Sequence, residues 1–272
     1  MIIDTHVHYY DPTREGGTPW PDPDDEVLFQ PTYPERCYAL AKPCGVSGTI
    51  MVECSEWVED NQWVLDVAKK ETFVWGMVGN LDPHEDRFEE HLDRFSRDPI
   101  FRGIRARGWE PDDIDALRLL ADRDLSLDLG LSERVPRIAE AIPELRIIIN
   151  HSASLPMDGG EPPADLVNLM REAAAYPNVW CKLSGMMDLR CKIRPAPTEV
   201  AHYAPVLDLL WDAFGEDRMV FGSDWPVSDH SERSYAEVFK LAEDYVRSKG
   251  EAAMAKVFCD NSREAYKWVP RS

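Results

Sequence analysis

The chain has 272 residues, 44% of them hydrophobic, and 50 acidic against 30 basic side chains give it a net charge of -20. This acidity repels phosphate backbones and anionic lipid surfaces, which excludes nucleic acid and membranes as partners. No apolar run approaches the roughly 18 residues of a membrane span, and no secretory signal follows Met1. We therefore expect a cytoplasmic protein, and the length predicts a single domain over residues 1–272.

Short β-rich apolar runs alternate with longer segments of helical periodicity along the chain. The predicted strands are residues 2–8, 49–54, 73–79, 101–107, 125–129, 146–151, 179–184 and 219–223. The predicted helices are residues 60–70, 85–97, 112–122, 165–175 and 205–214, with closing helices at 234–248 and 252–266. Strands separated by helices imply parallel pairing with right-handed crossovers.

Eight repeats in a chain of this length predict an α/β fold of the (β/α)8 TIM barrel type in preference to an open doubly wound sheet. Neither a dinucleotide fingerprint nor a phosphate-loop glycine pattern follows any strand. Residues 12–34 interrupt the alternation with six prolines and two adjacent glycines. Because they follow the first strand, we expect them to form a loop or lid over the catalytic face.

Two histidines lie at the end of the first predicted strand. Alternation of side chains puts Asp4, His6 and His8 on one face of that strand, facing the barrel interior. Two imidazoles on one face can converge on a metal ion or on a substrate oxygen. The alternative is a pair of strand-end histidines bonded to backbone groups.

Two further polar residues end predicted strands at the same rim. His151 ends the sixth apolar run, and Asp224 ends the eighth. Three imidazoles and a carboxylate predict a site for one divalent metal ion, with zinc first and manganese equally compatible in ligand type. Without metal, the same set provides polarising donors and one general base, which leaves open whether an ion is bound at all.

Cationic residues at strand ends of an acidic protein are candidates for substrate binding. Arg105, Arg107 and Lys182 would suit a carboxylate or a hydroxyl-rich substrate, and the alternative is pairing with acids such as Asp128 or Glu53. Glu53 itself is either a substrate hydroxyl acceptor or such a partner. Four tryptophans in the loops suit a sugar ring as well as ordinary packing, namely Trp20, Trp57, Trp109 and Trp225.

Four stretches of sequence together carry a family resemblance. They are Asp4-Thr5-His6-Val7-His8, Asn150-His151, the run at 178–185 and Phe221-Gly222-Ser223-Asp224-Trp225-Pro226. In this order they resemble the amidohydrolase superfamily, in its branch of sugar-lactone and pyrone-dicarboxylate lactonases. The resemblance implies a (β/α)8 barrel, with His6, His8 and His151 as metal ligands or carbonyl-polarising groups. It implies that Asp224 binds the metal or activates water. Binuclear relatives bridge two ions with a lysine or a glutamate on the fourth strand, and residues 103–107 here supply neither, which disfavours a binuclear centre.

The resulting hypothesis is a hydrolase that opens a sugar or carboxylated lactone, with Asp224 and His151 as catalytic residues and Trp225 as a substrate contact. The rival within the superfamily is a metal-dependent decarboxylase. A rival of another class is a carbohydrate-binding barrel that has lost the chemistry. The partner is a small molecule in each case, and the sequence leaves open whether the protein is a homo-oligomer.

Overall fold

A computed structural model describes residues 1–108 and 112–271. Its eight parallel strands pair in sequence order into one sheet. The strands are β1 Ile2–Val7, β2 Val46–Val52, β3 Val74–Gly79, β4 Phe101–Arg105, β5 Ser126–Leu129, β6 Arg146–Ile149, β7 Val179–Leu183 and β8 Met219–Phe221. Residues just after β8 pair with β1 and close the barrel. Val7 forms a parallel β-bridge with Trp225, and the backbone N–H of Asp224 donates to the His6 carbonyl oxygen (2.9 Å). The predicted barrel is confirmed.

Ten helices follow or close the strands in the part of the chain that the structure describes. They are α1 Pro34–Ala41, α2 Val58–Lys70, α3 Phe88–Ser96, α4 Ile114–Asp122, α5 Arg134–Ala141, α6 Ala164–Ala174, α7 Val200–Phe214, α8 Tyr235–Arg247, α9 Glu251–Ala255 and α10 Asn261–Tyr266. A π-helical turn, Lys256–Asp260, divides the last predicted helix into α9 and α10. Within 1–108 and 112–271, no helix is both long and apolar enough to cross a bilayer.

Two apolar layers bury the strands from both sides. Residues such as Ile147, Ile149 and Phe221 pack outward against the helices. Ile50, Val78, Ile148 and Val220 come from strands around the barrel and belong to one cluster, so they fill its interior; Tyr266 and Trp268 join this cluster from the C-terminal segment. Burial on both faces explains why strands such as β6 read as continuous apolar runs.

The first strand is irregular where it approaches the site. Its register against β2 shifts between Asp4 and Val7. The Asp4 carboxylate accepts hydrogen bonds from the Tyr235 hydroxyl of α8 (2.8 Å) and from the Ser223 backbone N–H (2.9 Å). Asp4 therefore faces the helices and not the interior, so the prediction of strict alternation was wrong for this residue. A β-bulge changes which face a side chain takes.

Residues 12–33 form an extended connection between β1 and α1 without helix or strand. Tyr10 and Thr32 pair at its base through two backbone hydrogen bonds of 3.0 and 2.8 Å. Arg14 bonds to Asp60 of α2. Asp25 contacts His230 beyond β8 at 2.9 Å. The connection is thus attached to three parts of the barrel rim.

Candidate active site

Four side chains meet at the carboxyl ends of the strands. Asp224 lies at their centre: its Oδ1 is 3.3 Å from His6 Nε2 and 3.4 Å from His8 Nε2, and its Oδ2 is 3.6 Å from His151 Nδ1. The carboxylate and the side chains of His6 and His8 are buried. The structure therefore brings together all four residues that the sequence singled out for the reaction centre.

The backbone around this cluster is strained. His151, Ser152, Ala153 and Ser154 all have φ between 51° and 60°, and Asp224 has φ 63°. For residues other than glycine, the left-handed conformation costs about 1–2 kcal/mol each. Ser184 at the end of β7 holds the turn, since its Oγ accepts from the His151 backbone N–H (3.2 Å) and its carbonyl oxygen accepts from the Ser152 hydroxyl (3.1 Å). Strain of this kind concentrates at functional sites.

A glycine allows β8 to approach the first histidine. A Cβ atom on Gly222 would lie 2.6 Å from the Cβ of His6, which is closer than carbon atoms can pack. A glycine at position 222 is therefore required for His6 and Asp224 to lie this close together. This requirement explains the glycine in the motif that leads to Asp224.

Burial determines the protonation of the cluster. It raises the pKa of Asp224 to about 7, although the positive charge of Arg105 lowers it in part. Burial, and then the nearby cations, lower the pKa of His6, His8 and His151 well below their usual value. The three imidazoles are accordingly neutral at neutral pH, and the carboxyl group titrates near it.

Hydrogen bonds fix the orientation of the rings. His8 Nδ1 donates to the Val52 carbonyl oxygen (2.7 Å), so the lone pair of its Nε2 faces Asp224. Arg105 Nη2 donates to His151 Nε2 (3.2 Å). A second carboxyl group, Asp188 after β7, interacts with Asp224; burial first, and then that neighbouring charge, raise the pKa of Asp188 well above its usual range.

A buried ionic network lies below the histidines. Lys182 Nζ donates to Asp128 Oδ2 (2.7 Å) and contacts His6 Nδ1 at 3.2 Å, and the Tyr266 hydroxyl donates to the same Asp128 oxygen (2.9 Å). Lys182 and Asp128 are both fully buried. The predicted substrate contact of Lys182 is corrected to the pairing alternative, because this residue lies within β7 and its side chain points into the barrel below the rim.

Two cavities open above the cluster. The inner cavity has a volume of about 160 Å³ and the outer one about 260 Å³. The inner cavity is lined by His8, Trp20, Cys54, Arg105, Arg107, His151, Leu189, Asp224 and Val227. The outer cavity is lined by Pro19, Trp20, Cys54, Glu56, Arg107 and Gly108. Arg105 and Arg107, the other two cations that the sequence singled out, both line the inner cavity, and Arg107 also lines the outer one.

Other predicted contacts lie elsewhere. Trp225 is fully buried, with the Arg36 guanidinium 5.3 Å from its ring, so its predicted role in substrate binding is corrected to packing. Glu53 is buried, and its Oε1 accepts from the backbone N–H groups of Cys54 and Ser55 at 2.7 Å each. It lines neither cavity. Trp109 lies outside the described residues.

Sequence reasoning missed Asp188, Leu189 and Val227. Asp188 and Leu189 lie in the loop after β7, and Val227 begins a short 3-10 helix, Val227–Ser231, after β8; neither segment shows periodicity in the sequence. Their proximity to Asp224 depends on the path of those loops. The only available signal was their short separation from residues of the recognised motifs.

Comparisons with known proteins identify the family and the fold of the chain. The Amidohydrolase family model matches residues 3–268. The L-fucono-1,5-lactonase of Burkholderia ambifaria is 33% identical over 239 residues, covering 83% of this chain and 80% of the relative. That of Burkholderia multivorans is 27% identical over 279 residues, covering 93% and 91%. An amidohydrolase from B. multivorans, solved with bound zinc, superposes with a TM-score of 0.85 at 24% identity, covering 99% and 100% of the two chains.

The chain belongs to the amidohydrolase family, and it is an enzyme of the hydrolase class. Its fold, matched over nearly its whole length, is that of the amidohydrolase barrels.

Proposed function

We propose that this enzyme hydrolyses the ester bond of a sugar lactone, in the class of L-fucono-1,5-lactone, to the open hydroxy acid. The observation that carries the proposal is a buried carboxyl group of pKa about 7, Asp224, which is in contact with three neutral imidazoles and lines a small cavity. A general base works best when its pKa lies near the working pH. The two lactonase relatives support the same reaction class.

In this proposal, ionised Asp224 takes a proton from water. The hydroxide oxygen bonds to the lactone carbonyl carbon, and the carbonyl oxygen becomes an oxyanion. The bond between the carbonyl carbon and the ring oxygen then breaks, and Asp224 returns its proton to that oxygen. The balanced result is one water consumed and one hydroxy acid formed, whose carboxyl proton is released at neutral pH.

When no metal ion is bound, Arg105 and the Nδ1–H of His151 are proposed to stabilise the oxyanion, because His151 Nε2 accepts from Arg105. Both line the inner cavity with Asp224, and the guanidinium has further N–H groups besides the one that contacts His151. A donor of this type contributes about 3 kcal/mol to the stability of the transition state. Arg107, beside it, is proposed to bind the substituents of the substrate.

The donor set fits one divalent cation. His6 Nε2 and both carboxylate oxygens of Asp224 are buried without a hydrogen-bond partner, and the His8 lone pair faces the same space. His6, His151 and Asp224 offer ligand atoms within 4.8 Å of one another. We propose that these residues and His8 would hold a single zinc ion, which when bound would polarise the carbonyl and acidify water.

Two cations oppose such an ion. Lys182 and Arg105 contact the nitrogens of His6 and His151 at 3.2 Å each. We therefore expect an ion to be bound weakly. Metal analysis after extensive dialysis, which should find little metal retained, checks this.

We also propose that the connection at 12–34 covers the site, because its Trp20 lines both the inner and the outer cavity.

The decisive experiment follows proton release from sugar lactones with wild-type enzyme and with Asp224→Asn, a variant of nearly identical shape. We expect turnover by the wild type and a loss of at least about 1,000-fold in the variant. Circular dichroism should show the same fold for both. Retained activity in Asp224→Asn would overturn the proposal. Carbon dioxide release from aromatic acids, without lactone turnover, would indicate that the enzyme is a decarboxylase.

A further inference from the structure

The inner and outer cavities share three lining residues: Trp20, Cys54 and Arg107. Because these side chains border both cavities, we infer that a molecule extending from the outer cavity to Asp224 passes between them, and we call them the neck. Of the three, the indole of Trp20 offers the largest apolar surface. The neck is therefore a place where the shape of a substrate can be tested before its carbonyl reaches the reaction centre.

The position of Trp20 is determined by its neighbours. Its ring lies 5.0 Å from that of Tyr10 and 5.7 Å from that of His8, and the Arg107 guanidinium is 5.4 Å from its centre. The chain that carries it is held on both sides, through Arg14 with Asp60 and through Asp25 with His230. Trp20 nevertheless remains half-buried, so part of the indole is available to a ligand.

We propose that Trp20 is a specificity-determining residue, which packs against the C–H groups of a sugar-lactone ring at the neck. This inference rests on the proposed function. A sugar ring presents apolar C–H groups as well as hydroxyls, and an indole covers such groups while it leaves the hydroxyls free to bond elsewhere. Arg107, the polar member of the neck, is placed to bond them.

Such a contact has a recognisable kinetic signature. Trp20 touches the ring and not the reacting carbonyl, so it binds substrate and transition state about equally. Loss of uniform binding raises KM and leaves kcat nearly unchanged. A residue that only supported the fold would change thermal stability or kcat instead.

The test compares Trp20→Ala and Trp20→Phe with Trp57→Ala, using L-fucono-1,5-lactone. Trp57 precedes α2 and lines neither cavity, which makes it a matched control. We expect Trp20→Ala to raise KM about tenfold, with kcat within about threefold, and Trp20→Phe to restore most of the loss. Trp57→Ala should behave like the wild type. In parallel, L-fuconate should change the tryptophan fluorescence of the wild type but not that of Trp20→Phe.

The outcomes distinguish a failure of the proposed function from a failure of the role assigned to Trp20. A wild type that hydrolyses no lactone overturns both the proposed function and this inference. A wild type that hydrolyses lactone, together with a Trp20→Ala enzyme whose KM stays within twofold, overturns this inference alone. An equal loss of kcat and thermal stability in Trp20→Ala and Trp20→Phe also overturns it, because it assigns Trp20 a structural role.

Discussion

Replacement of Asp224 by Asn is expected to stabilise the protein while it removes the activity. Burial raises the pKa of this carboxyl group from 3.8 to about 7, so the folded protein binds the proton more tightly than the unfolded chain does. The contribution of this carboxyl group to wild-type stability should therefore fall as the pH rises from about 4 to about 7, and this loss should be complete above 7. A shift of this size corresponds to at most about 4 kcal/mol. The amide of Asn does not titrate and avoids this loss.

The measurement is urea unfolding of chelator-treated wild type and Asp224→Asn at pH 4.5 and pH 8. We expect the two proteins to unfold at similar urea concentrations at the lower pH. At pH 8 the variant should be more stable by up to about 4 kcal/mol. The histidines and Asp188 are present in both proteins, so the difference between the two curves reports the Asp224 charge, including its effect on these neighbours. A stability difference that does not grow with pH would refute the reasoning about the buried carboxyl group.

Three further predictions concern the site and its support. The kcat/KM of the wild type should rise with pH through about 7 and level off above it, because Asp224 must be ionised to act as the base; a flat profile from pH 5 to 9 contradicts this role. Lys182→Met should lower the free energy of unfolding by about 3–5 kcal/mol, since it leaves Asp128 buried and charged. Adding Asp128→Asn to Lys182→Met should recover part of that loss when a double-mutant cycle is measured by urea unfolding. If the effects of the two substitutions on the free energy of unfolding simply add, Lys182 and Asp128 do not stabilise each other. Gly222→Ala should cost about 1–3 kcal/mol, because its methyl group meets His6, and it should also lower kcat; unchanged thermal unfolding and turnover would show that the strand can move aside.

Much of the fold could be predicted because hydrophobic periodicity depends on local sequence. The eight strands were recognisable as apolar runs, and their parallel order follows from the helices between them. The same order explains why His6, His151 and Asp224 meet, since the carboxyl ends of parallel strands share one rim. Helices α1 and α5 were missed because eight residues are too few for a clear helical period.

Other features depend on tertiary structure and could not be predicted. The face taken by Asp4 follows from an irregularity in β1 that no local pattern encodes. The depth of Lys182 depends on how far each strand is displaced along the barrel relative to the next. Trp20 reaches the reaction centre only through the path of a connection without periodicity. These three positions show that residue type and spacing indicate which side chains are chemically suited to a site. Strand register and loop path determine which of them lie at the reaction centre.

The left-handed turn at His151 has a consequence for how this enzyme could be adapted to higher temperature. Glycine adopts positive φ without penalty, so Ala153→Gly should relieve local strain. A screen that rewards thermal survival alone would favour such a change. Glycine would also make the backbone after His151 more flexible, because it lacks the side chain that restricts φ and ψ. The His151 imidazole would then be free to move away from Asp224. Selection for stability should therefore be combined with selection for turnover, or this turn excluded from the mutated library.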